Sequence, residues 1–311
     1  MPEITDAGRT WTIRLKKGIR FTDDPAFGGK PRELVAADLN KDGSLDLIVA
    51  NNGSTNVSVL DGDGKGAFAG ARNFTTGAGV TGLAVADVDG DGNLDVLVGG
   101  LAGAAGTVTV LLGDGTGKLT TKTTVALGDT EYIAVGDINN DGKLDLVATQ
   151  VTQQLVAVRT GNKDGTFSGS ATVALTSSPG KVLLGDVDSD GNLDLIVVRK
   201  GAGMVAVAKG DGKGAFGGLT NYTVGTSPVG LAYADVDGDG VRDLLVANNG
   251  LATVSYLKGA AAGTFAAATS VTVGNGPVSV FAADLNGDGT TDFLTANGAV
   301  GNLSQVTQAC K

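Results

Sequence analysis

Nine residues, Asp87-Val88-Asp89-Gly90-Asp91-Gly92-Asn93-Leu94-Asp95, place four carboxylates in one short turn with a glycine at the sixth position. At neutral pH these groups repel one another, and the loop contains no basic residue. A chain that holds carboxylates so close needs a cation, and an all-oxygen donor set suits a hard one such as calcium. The pattern returns along the chain. Loops begin at Asp38, Asp87, Asp137, Asp186, Asp235 and Asp284, at intervals of 49, 50, 49, 49 and 49 residues. So regular a period over six copies makes a repeat architecture the first constraint on the fold.

Each repeat reads as four short strands. The first runs into the loop, as in Gly82-Leu83-Ala84-Val85-Ala86, and the residue before the first aspartate is always Ala or Gly. Small residues suit strands that crowd around a common axis. The second strand leaves the loop and is apolar on both faces, as in Leu47-Ile48-Val49-Ala50 and Leu244-Leu245-Val246-Ala247, which fits a strand held between neighbouring sheets. The third alternates, as in Val57-Ser58-Val59, and a Gly/Asp turn leads to a weaker fourth, such as Tyr222-Thr223-Val224. Four strands per repeat of about 49 residues, repeated radially, describe a β-propeller. The expectation is an all-β propeller of six four-stranded blades over residues 34–311, with residues 1–33 as closing strand and linker. After Leu303-Ser304-Gln305-Val306 the sixth repeat has no fourth strand, whereas Trp11-Thr12-Ile13-Arg14-Leu15 is a β segment without a blade. That segment is therefore expected to complete the sixth blade and fasten the ring.

The ligand set follows from the loop positions. Side-chain oxygens come from position 1 (Asp38, Asp87, Asp137, Asp186, Asp235, Asp284) and position 3 (Asn40, Asp89, Asn139, Asp188, Asp237, Asn286). Positions 5 (Asp42, Asp91, Asp141, Asp190, Asp239, Asp288) and 9 (Asp46, Asp95, Asp145, Asp194, Asp243, Asp292) supply the rest. Position 7 offers its backbone carbonyl, from Ser44, Asn93, Lys143, Asn192, Val241 and Thr290. Glycine at position 6 permits the sharp turn. Three loops carry four carboxylates and three carry three, and tighter binding is expected of the first group. An EF-hand needs a bidentate Glu at position 12 and flanking helices, and neither is present here. The expected cofactor is calcium, about six ions, one per repeat.

Thirty of the 33 acidic residues are Asp, and 21 of these occupy loop positions. The formal charge of −10 is thus concentrated where cations would offset it, and does not mark a face for nucleic acid. The chain contains no histidine, which removes the commonest general base, and one cysteine, Cys310, which cannot form an intramolecular disulfide. No apolar run is long enough for a membrane-spanning helix, and the first residues do not form a signal peptide.

The Asp-x-(Asp/Asn)-x-Asp-Gly-x-x-Asp loop between strands, with Gly-x-Phe pieces such as Gly66-Ala67-Phe68, Gly165-Thr166-Phe167 and Gly214-Ala215-Phe216, resembles the FG-GAP/VCBS repeats of the integrin α-subunit propeller and of many bacterial surface proteins. The resemblance spans about residues 34–306. It implies calcium at Asp38, Asn40, Asp42 and Asp46 and at the matching positions of the other loops. Integrin-like propellers usually carry seven blades, where this chain has six loops. A second resemblance, over Glu3 to about Asp38, is to a segment of the family 5 peptide-binding proteins of ABC transporters. No lobe of that fold follows it, which suggests a fusion.

Sites with Kd ~10⁻⁴ M in ~10⁻³ M calcium contribute about 1.4 kcal/mol each, or roughly 8 kcal/mol for six. Calcium is then expected to be structural. An ion at that level points to an extracellular or cell-surface location, as does the resemblance. Partner binding is expected on the face opposite the loops, with Glu131, Tyr132, Lys181, Arg199 and Lys200 as candidate contacts, because the blades there are the least repetitive. Three functions fit: a non-catalytic module that binds a protein or glycan, a lectin, and a polysaccharide lyase. Sparse aromatics weigh against the lectin, and the lack of histidine weighs against the lyase. A monomer without nucleic-acid or membrane partners is expected.

Overall fold

The computed structural model describes residues 3–5, 10–12, 30–77, 79–101 and 106–307. These residues form β-strands joined by turns, with one 3₁₀ turn at Lys200–Ala202. No helix among them is long and apolar enough to cross a membrane. Six antiparallel sheets follow one another along the sequence, each with its strands in chain order. Blade 1 comprises Pro31–Ala37, Asp46–Asn51, Asn56–Leu60 and Arg72–Thr75. Blade 2 comprises Val80–Ala86, Asp95–Gly100, Thr107–Gly113 and Leu119–Ala126. Blade 3 comprises Thr130–Gly136, Asp145–Gln150, Leu155–Gly161 and Phe167–Ala174. Blade 4 comprises Pro179–Gly185, Asp194–Arg199, Met204–Ala208 and Thr220–Thr223. Blade 5 comprises Pro228–Ala234, Asp243–Asn248, Thr253–Leu257 and Thr269–Thr272. Among the described residues blade 6 has three strands, Pro277–Ala283, Asp292–Asn297 and Asn302–Val306. The protein is an all-β, six-bladed β-propeller.

The register explains why the loops are alike. In blades 1, 2, 3, 5 and 6 the residue before the loop pairs with the ninth aspartate: Ala37 with Asp46, Ala86 with Asp95, Gly136 with Asp145, Ala234 with Asp243 and Ala283 with Asp292. The acidic loop is therefore the hairpin between first and second strands. Second strands are buried almost throughout, which accounts for their unbroken apolar sequences.

Two compact units are distinguished. One holds residues 20–184 and 210–217, the other residues 1–19, 185–209 and 218–311. Within the first, Ile48, Val57 and Val59 of blade 1 pack with Leu83, Val96 and Val98 of blade 2. Leu97, Val108 and Val110 of blade 2 pack in turn with Ile133, Leu146 and Ala148 of blade 3. Arg32 of blade 1 pairs with Glu131 of blade 3, although blade 2 lies between them in sequence. First strands of this unit therefore face a shared line. Gly82 shows how tightly, since a Cβ there would sit 3.0 Å from the Glu131 carbonyl oxygen. In the second unit, Val236, Leu245, Ala247 and Val254 of blade 5 pack with Val280 and Phe293 of blade 6.

Of the expected closing segment, Trp11 and Thr12 fall among the described residues. Thr10–Thr12 pairs with Glu3–Thr5 in its own two-stranded sheet, with Trp11 opposite Ile4. Ile13, Arg14 and Leu15 lie outside the described residues. Among the described residues the third strand of blade 6 pairs only with the second, at Phe293↔Val306 to Asn297↔Asn302.

Candidate metal centre

Two backbone positions shape each loop. Glycine at position 6 has positive φ in every copy, from 79° at Gly142 to 88° at Gly191. Position 4 also adopts the left-handed conformation, at Lys41, Gly90, Asn140, Ser189, Gly238 and Gly287. These two reversals turn successive N–H groups inward. The position 1 carboxylate accepts the N–H of the position 6 glycine at 2.8–2.9 Å in all six loops. The position 5 carboxylate accepts the N–H of position 7 at 2.7–2.9 Å. Hydrogen bonds of this kind hold the Asp42, Asp91, Asp239 and Asp284 carboxyls below the ordinary carboxylate value, with Lys258 the foremost donor at Asp239.

The ninth aspartate has no exposed surface in any loop. One oxygen accepts the N–H of position 2, at 2.7–3.2 Å across the six loops. The other accepts an N–H from a glycine at the end of the third strand: Gly62, Gly113, Gly161 or Gly259, at 2.7–2.9 Å. That glycine has a steric reason to recur. A Cβ at any of the four would lie 2.1–2.2 Å from the carbonyl oxygen of loop position 8. Burial pushes the Asp95 carboxyl up to about 6 and raises those of Asp145 and Asp243, against the two N–H donors each accepts. This tie was missed in the sequence, although a glycine recurring after the third strand was its signal.

Three loops gather acidic oxygens closely enough to share an ion: Asp87, Asp89 and Asp95; Asp186, Asp188 and Asp194; and Asp235, Asp237 and Asp239, each set within 4.8 Å. These are the loops with Asp at position 3. Loops with Asn40, Asn139 or Asn286 there form no such cluster among the described residues. Asp188 Oδ1 and Asp237 Oδ1 are buried and accept no hydrogen bond, as expected of oxygens shaped for a cation. Carboxylates, a carbonyl and a tight glycine turn suit Ca²⁺. Position 7 also carries a lysine in blade 3, whose Lys143 Nζ lies 3.3 Å from Asp141 Oδ2.

The sequence matches the FG-GAP-like repeat at residues 38–98, 101–148, 137–197, 186–246 and 235–295. The chain belongs to the FG-GAP-like repeat family. Four of the five matches open on one acidic loop and end just past the next, so the family unit is the interval between loops. No curated protein matches the sequence significantly. Among solved structures, periplasmic gluconolactonase PpgL from Pseudomonas aeruginosa is similar at TM-score 0.61 and 18% identity, over 86% of this chain and 72% of that one. BBS1N in complex with ARL6DN gives TM-score 0.61 at 12% identity, over 86% and 76%. Virginiamycin B lyase from Staphylococcus aureus gives 0.58 at 14%, over 90% and 85%. At these identities the likeness is one of fold.

In this FG-GAP propeller, Glu131, Tyr132 and Lys181 come together at the start of the first strands. Lys181 pairs with Glu33, Arg32 pairs with Glu131, and Glu33 also accepts the Leu83 N–H at 2.8 Å. Arg32 and Lys181 lie 5.9 and 5.2 Å from the centre of the Tyr132 ring, and burial raises the Tyr132 hydroxyl above its ordinary value. The network is internally neutralised. Arg199 ends the second strand of blade 4 and donates to Asn221 Oδ1 at 2.5 Å. Lys200 follows in the 3₁₀ turn. The position of Arg199 is occupied by Asn51, Asn248 and Asn297 in other blades. There the buried amide bridges its hairpin: Asn51 Nδ2 donates to Asn56 Oδ1 and Ser58 Oγ, and Asn248 Nδ2 to Thr253 Oγ1 and Ser255 Oγ.

Proposed function

We propose that this chain is a calcium-stabilised, non-catalytic binding module, with calcium in the acidic loops and a protein partner on the opposite rim. The observation that carries the calcium reading is the geometry of the three acidic clusters, two of which contain a buried oxygen without a hydrogen-bond donor. Asp87, Asp89, Asp91 and Asp95, with the Asn93 carbonyl, would hold the ion in blade 2. The equivalent residues would hold it in blades 4 and 5, and the loops with Asn at position 3 would bind more weakly. The ion would supply charge neutralisation and fasten each hairpin. Its structural use at millimolar concentration favours an extracellular or surface setting.

A glycan ligand is the second reading. It is favoured by a cleft of about 300 Å³ on the blade 3 side, lined by Gln150, Gln153, Arg159 and Thr172 beside Leu127 and Gly128. The pairing of third and fourth strands shifts register between Val158 and Thr160, so Arg159 stands in a bulge, a device that re-aims a side chain. Thermal unfolding with calcium and with chelator tests the core of the proposal, and an unchanged melting temperature would refute it. A glycan array then separates the readings, since selective binding lost in Arg159→Gln supports the glycan.

A further inference from the structure

The residue immediately before the third-strand glycine differs from blade to blade. It is Asp61, Leu112, Thr160, Lys209 and Lys258 in blades 1 to 5. In blades 2 and 5 that glycine's N–H is fixed on the ninth aspartate, at 2.9 Å for Gly113 and 2.7 Å for Gly259, so the preceding side chain starts beside the acidic loop. In blades 4 and 5 the side chain is a lysine that reaches into the cluster. Lys209 Nζ lies 2.7 Å from Asp188 Oδ2 and donates to the Ala262 carbonyl at 3.0 Å. Lys258 Nζ lies 2.9 Å from Asp239 Oδ2 and also pairs with Asp237. Blade 2 has the same four acids, but Leu112 offers no charge. Two lysines approach this loop, Lys41, whose charge acts on Asp91, and Lys163, whose methylenes lie against Gly90, but among the described residues no lysine or arginine is in ion-pair contact with Asp87, Asp89 or Asp95.

We propose that Lys209 and Lys258 are built-in competitors for the divalent cation in blades 4 and 5, which makes the blade 2 loop the high-affinity site. The inference rests on the calcium reading above and divides sites that their acids alone would rank equal. An ammonium and a divalent ion repel each other and seek the same carboxylates, those of Asp188 and Asp237, where the lysines hold Oδ2 beside the unbonded Oδ1. Calcium enters these loops only as the lysine withdraws, and by linkage the lysine lowers calcium affinity as much as calcium weakens the lysine pair. At low calcium the loops of blades 4 and 5 keep their shape through their own lysines, whereas blade 2 depends on the ion.

Isothermal titration with calcium, together with anomalous occupancy at each loop in crystals equilibrated at graded calcium, tests this. Blade 2 is expected to fill at roughly tenfold lower calcium than blades 4 and 5, the size of an ordinary coupling between neighbouring sites. The Lys209→Met/Lys258→Met double variant is expected to remove that gap. In the reverse direction, Leu112→Lys is expected to weaken the blade 2 site by a similar factor, and it carries the test alone if the double variant does not fold. Equal filling of the three loops in the unaltered protein, or variants that leave the affinities unchanged, would overturn the inference and leave the calcium reading standing. No calcium at any loop would overturn both.

Discussion

Asp95 carries two backbone N–H groups, from Val88 at 2.8 Å and Gly113 at 2.9 Å, on a carboxylate without exposed surface. An asparagine in its place would turn an NH₂ toward one of these donors. Asp95→Asn is therefore expected to lose about 1–3 kcal/mol of stability even in chelator, the usual cost of a buried unsatisfied group. Asp89→Asn, in the same loop, removes no such tie and is expected to reduce only the calcium-dependent part. Urea denaturation with and without calcium separates the two. The same burial has a pH consequence. The Asp95 carboxyl stands at about 6 in the folded metal-free chain against 3.8 unfolded, and Asp145 and Asp243 shift the same way. A raised carboxyl means that folding favours the protonated form. Its contribution is complete below pH 3.8 and is lost as pH rises through about 6. In chelator the urea midpoint is expected to fall across that window, and with calcium, which binds the ionised form, the fall is expected to shrink or vanish. The Asp42, Asp91, Asp239 and Asp284 carboxyls are lowered, so they change over below the window. At this scale the spacing of the aspartates was legible in the sequence, because like charges at every second position repel unless a cation sits among them. The double acceptance by Asp95 was not, since Gly113 lies 18 residues away and meets it only through the hairpin.

Strand order and burial were readable because the chemistry differs from strand to strand. Buried second strands such as Asp194–Arg199 are continuous apolar runs, and exposed fourth strands such as Thr220–Thr223 are polar. Alternation alone does not name a partner: Thr10–Thr12 pairs with Glu3–Thr5, a local pairing that its pattern did not single out. Deleting residues 1–12 is expected to leave the melting temperature unchanged, because that hairpin pairs with itself and blade 6 keeps its three strands. Differential scanning calorimetry of the shortened chain checks this, and a marked loss would restore the closing role to the N-terminal segment. Asn51 and Asn248 illustrate a second limit. Their Asn-Asn-Gly sequences look like exposed loop tips, yet each first asparagine is buried and spans its hairpin.

For the molecule as a whole, the period of the loops was enough to count the blades, since each loop is one hairpin of one sheet. Charge sets the scale of what calcium contributes. With sites of Kd ~10⁻⁴ M in ~10⁻³ M calcium, ions in the three acidic clusters would supply about 4 kcal/mol together, a large share of a domain's ~5–15 kcal/mol. Chelation is accordingly expected to lower the melting temperature by several degrees or more and to steepen the dependence on ionic strength. The loops are also self-contained along the chain. The ties of the ninth aspartate, Leu39 to Asp46 to Gly62 or Val88 to Asp95 to Gly113, begin and end inside a single repeat, as do the amide bridges of Asn51 and Asn248. A segment duplicated in the gene arrives with its wiring complete and must adapt only its apolar flanks to new neighbours. Such chains can therefore lengthen by copying, and a near-constant interval between loops is what copying would leave.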